Sequence, residues 1–409
     1  MSVQTGIHNG IVNAVYWHAA KDEAEKLLHK YKTQKSVYEP VDVDIRRAPQ
    51  EEDLTDITTN HGWNSNVRDM FNKRIREQTV QFIHDIKDSD AGEGHSDTST
   101  LRLEIPYTLL TSKAIKRRKI SWNQIFSLMD YLESADVKLL AVMGDWIDGD
   151  HTPPNLKTFD KYLEQFIEVW DNRVVGYEFG NEPNHKFFWK GTDVDYARFA
   201  KNGYNTLKDY NSKAQVGINF CRLTELDGNP WGLIFADRLL REGTDEVLEK
   251  NAVNMCDFTG IHGYPGMWEP GNAFTWNQYL SEYDAFADEN NIEAKPWATE
   301  QGITGSRWGI FTGNTPENQA QYFIDTAQVM QENNVRFSLW YRALDLNHYS
   351  DSTPQWWLPP EHYFGLLDKK GRPKVDNIVD IVAEAVKPKP MVKIAKPLQW
   401  NPAEYQITV

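Results

Sequence analysis

The eight residues Val175-Gly176-Tyr177-Glu178-Phe179-Gly180-Asn181-Glu182 constrain the fold more tightly than any other stretch of the chain. Val175, Tyr177 and Phe179 are apolar, whereas Gly176, Glu178, Gly180 and Glu182 are small or acidic. Successive strand residues point to opposite faces, so one face is hydrophobic and the other gathers the acids. In a closed barrel the second face is the lumen. Leu101-Arg102-Leu103-Glu104-Ile105 repeats the scheme, with Arg102 and Glu104 inward and the aliphatic residues outward. A charge in a lumen needs a partner, so Arg102 is expected to meet Glu178, Glu104 or a catalytic carboxylate.

The remaining segments supply such a barrel. Val137 to Met143 is an apolar strand, and a helix from Asn155 to Trp170 follows, with Phe159, Tyr162, Leu163, Phe166, Ile167 and Trp170 on one face. After the Glu182 strand come a helix over Asp193 to Tyr210, a strand over Ala214 to Phe220, a further helical stretch and the strand Asp257 to Tyr264. A helix around Asn277 to Asn290, the strand Lys295 to Gly302, a helix near Asn318 to Gln331, the strand Val335 to Tyr341 and a last helix near Val375 to Ala385 complete the series. Strands alternating with helices imply a parallel sheet, and this many units imply an α/β fold of the (β/α)8 TIM-barrel kind. The expected organisation is an N-terminal extension over 1–40, the barrel over 41–388, and a C-terminal tail over 389–409 that packs on the barrel. Val41-Asp42-Val43-Asp44-Ile45 alternates like strand one, with Asn66 to Ile86 as its helix; Ile11 to Tyr16 is the rival segment. Asp88 to Thr98 reads as a loop.

Two of the strands end in an acid. Glu182 follows Asn181, an amide donor, and Lys295-Pro296-Trp297-Ala298-Thr299-Glu300-Gln301-Gly302 brings a second carboxylate. The two lie 118 positions apart, room for three strand-helix units of roughly 30 residues each plus insertions, which puts them at the C-terminal ends of strands four and seven. Two carboxylates across a sugar are the minimum equipment for cleaving a glycosidic bond: one protonates the leaving oxygen, the other attacks the anomeric carbon or activates water.

These residues resemble clan A of the retaining glycoside hydrolases over most of Thr100 to Val386. Glu182-Pro183-Asn184, followed by Phe187-Phe188-Trp189 and Asp195-Tyr196-Ala197, is most similar to glycoside hydrolase family 39. The resemblance implies Glu182 as acid/base, Glu300 as nucleophile, Asn181 as donor to the sugar 2-hydroxyl, Tyr264 as donor to the nucleophile and Trp340 as the floor of the cleaved-sugar subsite. It implies Arg102 as the strand-two arginine near the nucleophile. Glu182 would then need apolar or negative surroundings to stay protonated, and Glu300 would need a cation and a hydroxyl to stay ionised. His262 lies two positions before Tyr264 and faces the same way, either to bind a substrate hydroxyl or to satisfy the lumen network. Trp340 shares the phase of Ser338, which is read as inward. The stretch after strand eight is shorter than the β-sandwich that family 39 usually adds.

Other features narrow the classes further. A net charge of −15 argues against nucleic acid or an anionic membrane as partner and favours a neutral glycan. The loop Gly144-Asp145-Trp146-Ile147-Asp148-Gly149-Asp150-His151 is rich in acids but fits no EF-hand spacing. It is read as a solvated or substrate-facing loop, with His151 either a sugar contact or a plain loop histidine, and neither metal nor cofactor is expected. The pairing of Cys221 with Cys256 is left open, and no stretch has the length of a membrane span. A carbohydrate-binding barrel without catalysis is the rival class, expected to lack one of the two acids. A metal-dependent hydrolase is disfavoured because no His-x-His marks a first strand.

Overall fold

The computed structural model describes residues 70, 72–89, 100–106, 122–145, 152–170, 173–185, 188–221, 256–264, 274–305, 314–345 and 363–386. The strands among them are β1 (Thr100–Pro106), β2 (Lys138–Asp145), β3 (Val174–Phe179), β4 (Val216–Cys221), β5 (Phe258–His262), β6 (Lys295–Gln301) and β7 (Ser338–Trp340). They form one sheet in sequence order, every neighbouring pair parallel. β1 also touches β7, so the sheet is curled into a nearly closed α/β barrel. The first-strand segment Val41 to Ile45, its rival Ile11 to Tyr16 and the tail 389–409 lie outside the described residues.

The helices are α1 (Lys73–Asp88), α2 (Trp122–Ser134), α3 (Leu156–Trp170), α4 (Asp193–Tyr210), α5 (Phe274–Asn290), α6 (Pro316–Glu332) and α7 (Ile378–Val386). Their ends follow from local chemistry. Thr192 caps α4 in a reciprocal box with Asp195, and Thr315 caps α6 ahead of a proline in its first turn. α2 is the one helix the sequence reading did not name. In α3 the six residues expected on one face are all buried, each contributing roughly 1.5–3 kcal/mol of apolar burial.

Parallel pairing keeps equivalent side chains on one face and so fills the lumen in layers. Arg102 pairs with Leu140 and Leu140 with Gly176, and Leu140 packs with Phe258, Trp297 and Phe337 into an apolar floor. Phe258 and Trp297 stack with centroids 3.7 Å apart. The floor is closed by bulk from some strands and absence of bulk from others: a Cβ on Gly217 would stand 2.3 Å from the Phe258 ring. One layer up, a Cβ on Gly260 would stand 2.2 Å from Glu178 Oε1 and 2.5 Å from Thr299 Oγ1. The other strand face, including Leu103, Met143, Tyr177, Phe179, Ile218 and Ala298, packs into the main core with α3 and α4. A second cluster joins α1, α6 and α7.

The lumen therefore has no space for a methyl group at position 260. Gly260→Ala is expected to cost about 1–3 kcal/mol, whereas Gly302→Ala, whose Cβ meets Phe364 no closer than 3.5 Å, should be nearly neutral. Denaturant unfolding of the two variants checks this; equal losses would contradict the layer assignment.

Candidate active site

Arg102 rises from β1 into the lumen, with only 8% of its side chain exposed, and makes three directed hydrogen bonds. Nε donates to Glu178 Oε2 at 2.6 Å, Nη1 to Glu300 Oε2 at 3.0 Å and Nη2 to Asn181 Oδ1 at 2.9 Å. Glu104 Oε1 stands 3.9 Å from Nη1. All the partners expected for Arg102 are thus assembled around one guanidinium, whose planar fork suits several acceptors at once. Because the Asn181 oxygen accepts from Arg102, its amide nitrogen is left as the donor end.

Glu300 reaches this cluster through a backbone irregularity. Trp297 and Thr299 face the lumen, so strict alternation would turn Glu300 outward. The register, however, runs from Gly260↔Trp297 to His262↔Glu300, two steps on β5 against three on β6, and β6 shows the same extra residue against β7. A bulge of this kind re-aims the following side chain. The Tyr264 hydroxyl then donates to Glu300 Oε1 at 2.5 Å, so each carboxylate oxygen has a donor.

Glu182 is aimed by a different device. β3 ends at Phe179; Gly180 has φ +68° and Glu182 φ +44°, a left-handed conformation that costs a non-glycine residue roughly 1–3 kcal/mol. Asn219 of β4 holds the kink, its Nδ2 donating to the Gly180 carbonyl at 2.7 Å and its Oδ1 accepting from the Glu182 amide at 2.7 Å. The Tyr196 hydroxyl donates to the Phe179 carbonyl at 2.8 Å. Asn184 and Cys221 exchange a further pair of hydrogen bonds, at 2.6 and 3.0 Å.

His262 sits between the acids, fully buried, its Nδ1 2.8 Å from Glu182 Oε1 and 3.6 Å from Glu300 Oε2. Burial pushes its pKa down to about 4, with Glu300 opposing, so the ring is neutral near pH 7. Nε2 has no partner among the described residues. A proton on Nε2 would be a stranded buried donor, so the favoured tautomer carries it on Nδ1 and donates to Glu182. Burial raises both acids above the ordinary carboxyl value. For Glu182 it is opposed by His185, the Cys221 thiol and Arg102; for Glu300 by His262, Arg102 and the Tyr264 hydrogen bond, with Glu182 adding to the rise. The acids thus differ in their donors: Glu300 accepts from a guanidinium and a phenol, Glu182 from a neutral imidazole.

Donor atoms of Glu182, His262 and Glu300 all fall within 4.8 Å of one another. These three could supply ligands to a cation; as they stand, a guanidinium already occupies one Glu300 oxygen and the near imidazole nitrogen faces Glu182, an arrangement that can also hold and pass a proton. Arg102, Asn181, Glu182, His262, Tyr264 and Glu300 are therefore in one place. Trp340 is turned differently from its expected inward phase. Phe337 and Leu339 pack with the lumen floor, so Ser338 and Trp340 face outward, the indole lying 6.1 and 5.4 Å from the rings of Tyr322 and Phe323 on α6. The lumen-phase aromatic at that strand end is Tyr341, edge-on to Tyr264 at 6.5 Å. His151, Trp146, Trp268, Trp308, Trp356 and Trp357 lie outside the described residues. Trp189 is buried against Tyr196 and Phe199, and both cysteines are free thiols. The sequence reading passed over Asn219, although it shares the phase of Gly217 on β4; it also passed over His185, Tyr341 and Phe364.

No protein-family model matches the sequence, and no curated protein matches it. Solved structures do. A glucosidase from Croceicoccus marinus is 12% identical over 75% of this chain and 62% of its own, with a TM-score of 0.51. An exo-β-1,4-mannosidase from Opitutaceae bacterium strain TAV5 is 14% identical over 75% of this chain and 56% of its own, with a TM-score of 0.49. The chain spans less than two thirds of the length of both proteins, and the first likeness is one of fold.

The raised Glu182 carboxyl makes stability depend on pH. A carboxyl whose folded pKa exceeds its unfolded value of 4.5 carries no penalty below that value, and a growing one as pH rises through the folded pKa. Glu182→Gln keeps an acceptor for His262 and cannot ionise, so it should melt higher than wild type at pH 7.5, with the difference gone at pH 4. Thermal scans at the two pH values test this; a gap of equal size at both would refute it.

Proposed function

We propose that the protein is a retaining glycoside hydrolase that cleaves a glycosidic bond of an oligo- or polysaccharide by double displacement. The observation that carries this reading is the approach of a Glu182 and a Glu300 carboxylate oxygen to within 4.8 Å across the lumen, from the C-terminal ends of β3 and β6. That distance suits direct attack on the anomeric carbon; inverting enzymes separate their carboxyl groups by about 6.5–9.5 Å to admit a water. Glu182, buried and beside a neutral imidazole, protonates the glycosidic oxygen as the bond to the anomeric carbon breaks. Glu300 closes on that carbon from the opposite face to give a glycosyl-enzyme. Glu182 then takes a proton from water, whose oxygen displaces Glu300.

Asn181 turns its amide nitrogen to the sugar 2-hydroxyl, a contact that tightens as positive charge develops at the anomeric carbon. Tyr341 takes the sugar-facing place first assigned to Trp340. Membership of clan A, and family 39 within it, rests on the sequence resemblance. A barrel over 41–388, a neutral glycan as substrate and a sugar contact from His151 belong to the same proposal. The rival reading, a binding barrel without chemistry, would leave the paired donors on Glu300 without a purpose.

A 2-deoxy-2-fluoro glycoside with a good leaving group should label Glu300, because fluorine slows both oxocarbenium-like steps and the leaving group lets the first outrun the second. Glu182→Ala should lose roughly 10²–10⁴-fold on poor leaving groups, far less on activated aryl glycosides, and should regain turnover with azide. Peptide mapping and product analysis decide the matter; a label on Glu182 or Glu178, or no azide effect, would overturn the assignment.

A further inference from the structure

The Tyr264 hydroxyl that anchors Glu300 follows the end of β5 and needs its ring held in place. Phe364 supplies that support. It is 2% exposed, stacks on Tyr264 with centroids 5.7 Å apart and planes 23° from parallel, and meets Tyr341 edge-on at 6.1 Å. Phe364 belongs to no helix or strand. Its position comes from three side chains that grip the carbonyls of residues 363 to 365. Trp340 Nε1 donates to the Phe364 carbonyl at 2.9 Å, which accounts for the outward turn of that indole. Gln319, 1% exposed on α6, donates Nε2 to the carbonyls of Phe364 at 3.0 Å and Ile303 at 2.8 Å. Lys374 Nζ donates to the carbonyls of Tyr363 at 3.0 Å and Gly365 at 2.7 Å while paired with Asp345 Oδ1 at 3.0 Å.

This is a large polar investment for a turn that reaches neither acid itself. The Asp345–Lys374 pair has 10% and 9% of its side chains exposed, and a buried pair adds little net stability. Gly365 lies so close to the end of β7 that a Cβ would stand 2.2 Å from the Asp345 amide, and a Cβ on Gly305 would stand 2.7 Å from Lys374 Nζ. The backbone has been given up to bring the clamp and the ring together.

We propose that Phe364 is a positioning residue for Glu300: clamped through its own carbonyl by Trp340 and Gln319, and flanked by the Lys374 grip, it holds Tyr264 so that the hydroxyl stays on the carboxylate. The role of Glu300 as nucleophile rests on the proposed function; the positional coupling does not. The charged and titratable groups around Glu300 are Arg102 from β1, Glu182 beyond β3, His262 from β5 and Tyr264 beyond it, with Tyr341 beside Tyr264. Of these, Phe364 stacks on Tyr264 and packs edge-on against Tyr341, so the effect must run through the tyrosine hydrogen bond. Losing that bond removes a donor that lowers the Glu300 pKa, so the titration midpoint moves up.

The test is a carbon-13 titration of protein carrying carboxyl-labelled glutamate, with Glu300 assigned from Glu300→Gln. Phe364→Leu and Lys374→Met should each move the Glu300 midpoint upward, toward its value in Tyr264→Phe. Adding Phe364→Leu to Tyr264→Phe should move it no further. Where an aryl glycoside is turned over, kcat should fall about tenfold with little change in KM, and the acid limb of the pH profile should shift up by the same interval. If Phe364→Leu fails to fold, Lys374→Met decides. A midpoint that stays put while the melting temperature falls, or shifts that add in the double variant, would overturn the proposal. A wild-type protein inert toward every glycoside would sink the glycosidase reading and leave the titration to decide the coupling.

Discussion

The site depends on one guanidinium placed where water cannot screen it. Arg102 satisfies Glu178, Glu300 and Asn181 at once and stands near Glu104. Without it the lumen would hold Glu104, Glu178, Glu182 and Glu300 with no lysine or arginine among the described residues beside them, a state that costs several kcal/mol for each uncompensated charge. Its presence has a second consequence. Because the fork is rigid and its acceptors lie on β3, β6 and the turn after β3, the angular position of each around the barrel is tied to the others. The same residue that makes the acids tolerable also sets their geometry.

Around that centre, charge is handled by unequal solvation. Burial raises both Glu182 and Glu300, yet one sits against a neutral imidazole and the other against a guanidinium and a phenol. Under the proposed function the proton is carried by Glu182, the acid whose oxygens meet neither the guanidinium nor the phenol. His262 keeps this asymmetry in place: pushed down to about 4 by burial, it stays neutral near pH 7 and does not cancel the desolvation of Glu182.

Most of the barrel was legible in the sequence because its strands and helices obey their periods. α4 coincides with its expected range of Asp193 to Tyr210, and the inward phase of Arg102, Glu104 and Glu178 is as the alternation requires. The period also places Arg102 inward and puts His262 in phase with Tyr264, whereas the meeting of Asn181, Tyr264 and the two acids was implied by the family resemblance rather than by alternation. Trp340 was misphased because the strand is only three residues long and offers little alternation to show which face is inward; Ser338, read as inward, faces out, and Trp340 with it. Phe364 carried no signal at all: it lies in an irregular turn whose shape comes from Gln319 and Lys374, 45 and ten residues away in the chain. Asn219 is the intermediate case, readable by phase but silent about its work, since a lumen asparagine looks alike whether it binds a ligand or a backbone.

The two acids share a further property that period alone cannot express. Glu300 faces inward only because β6 has one residue too many for its neighbours, and Glu182, already in the lumen phase of its strand, is carried past the end of β3 on a left-handed turn at Gly180 and Glu182. Each departure costs free energy locally and is held by its neighbours, Asn219 for the kink and the flanking strands for the bulge. Strand period builds the barrel and directs Arg102, Glu104 and Glu178. Under the proposed function, the two residues that would meet a reacting atom stand where the backbone departs from that period, as expected where chemistry rather than packing selects a conformation.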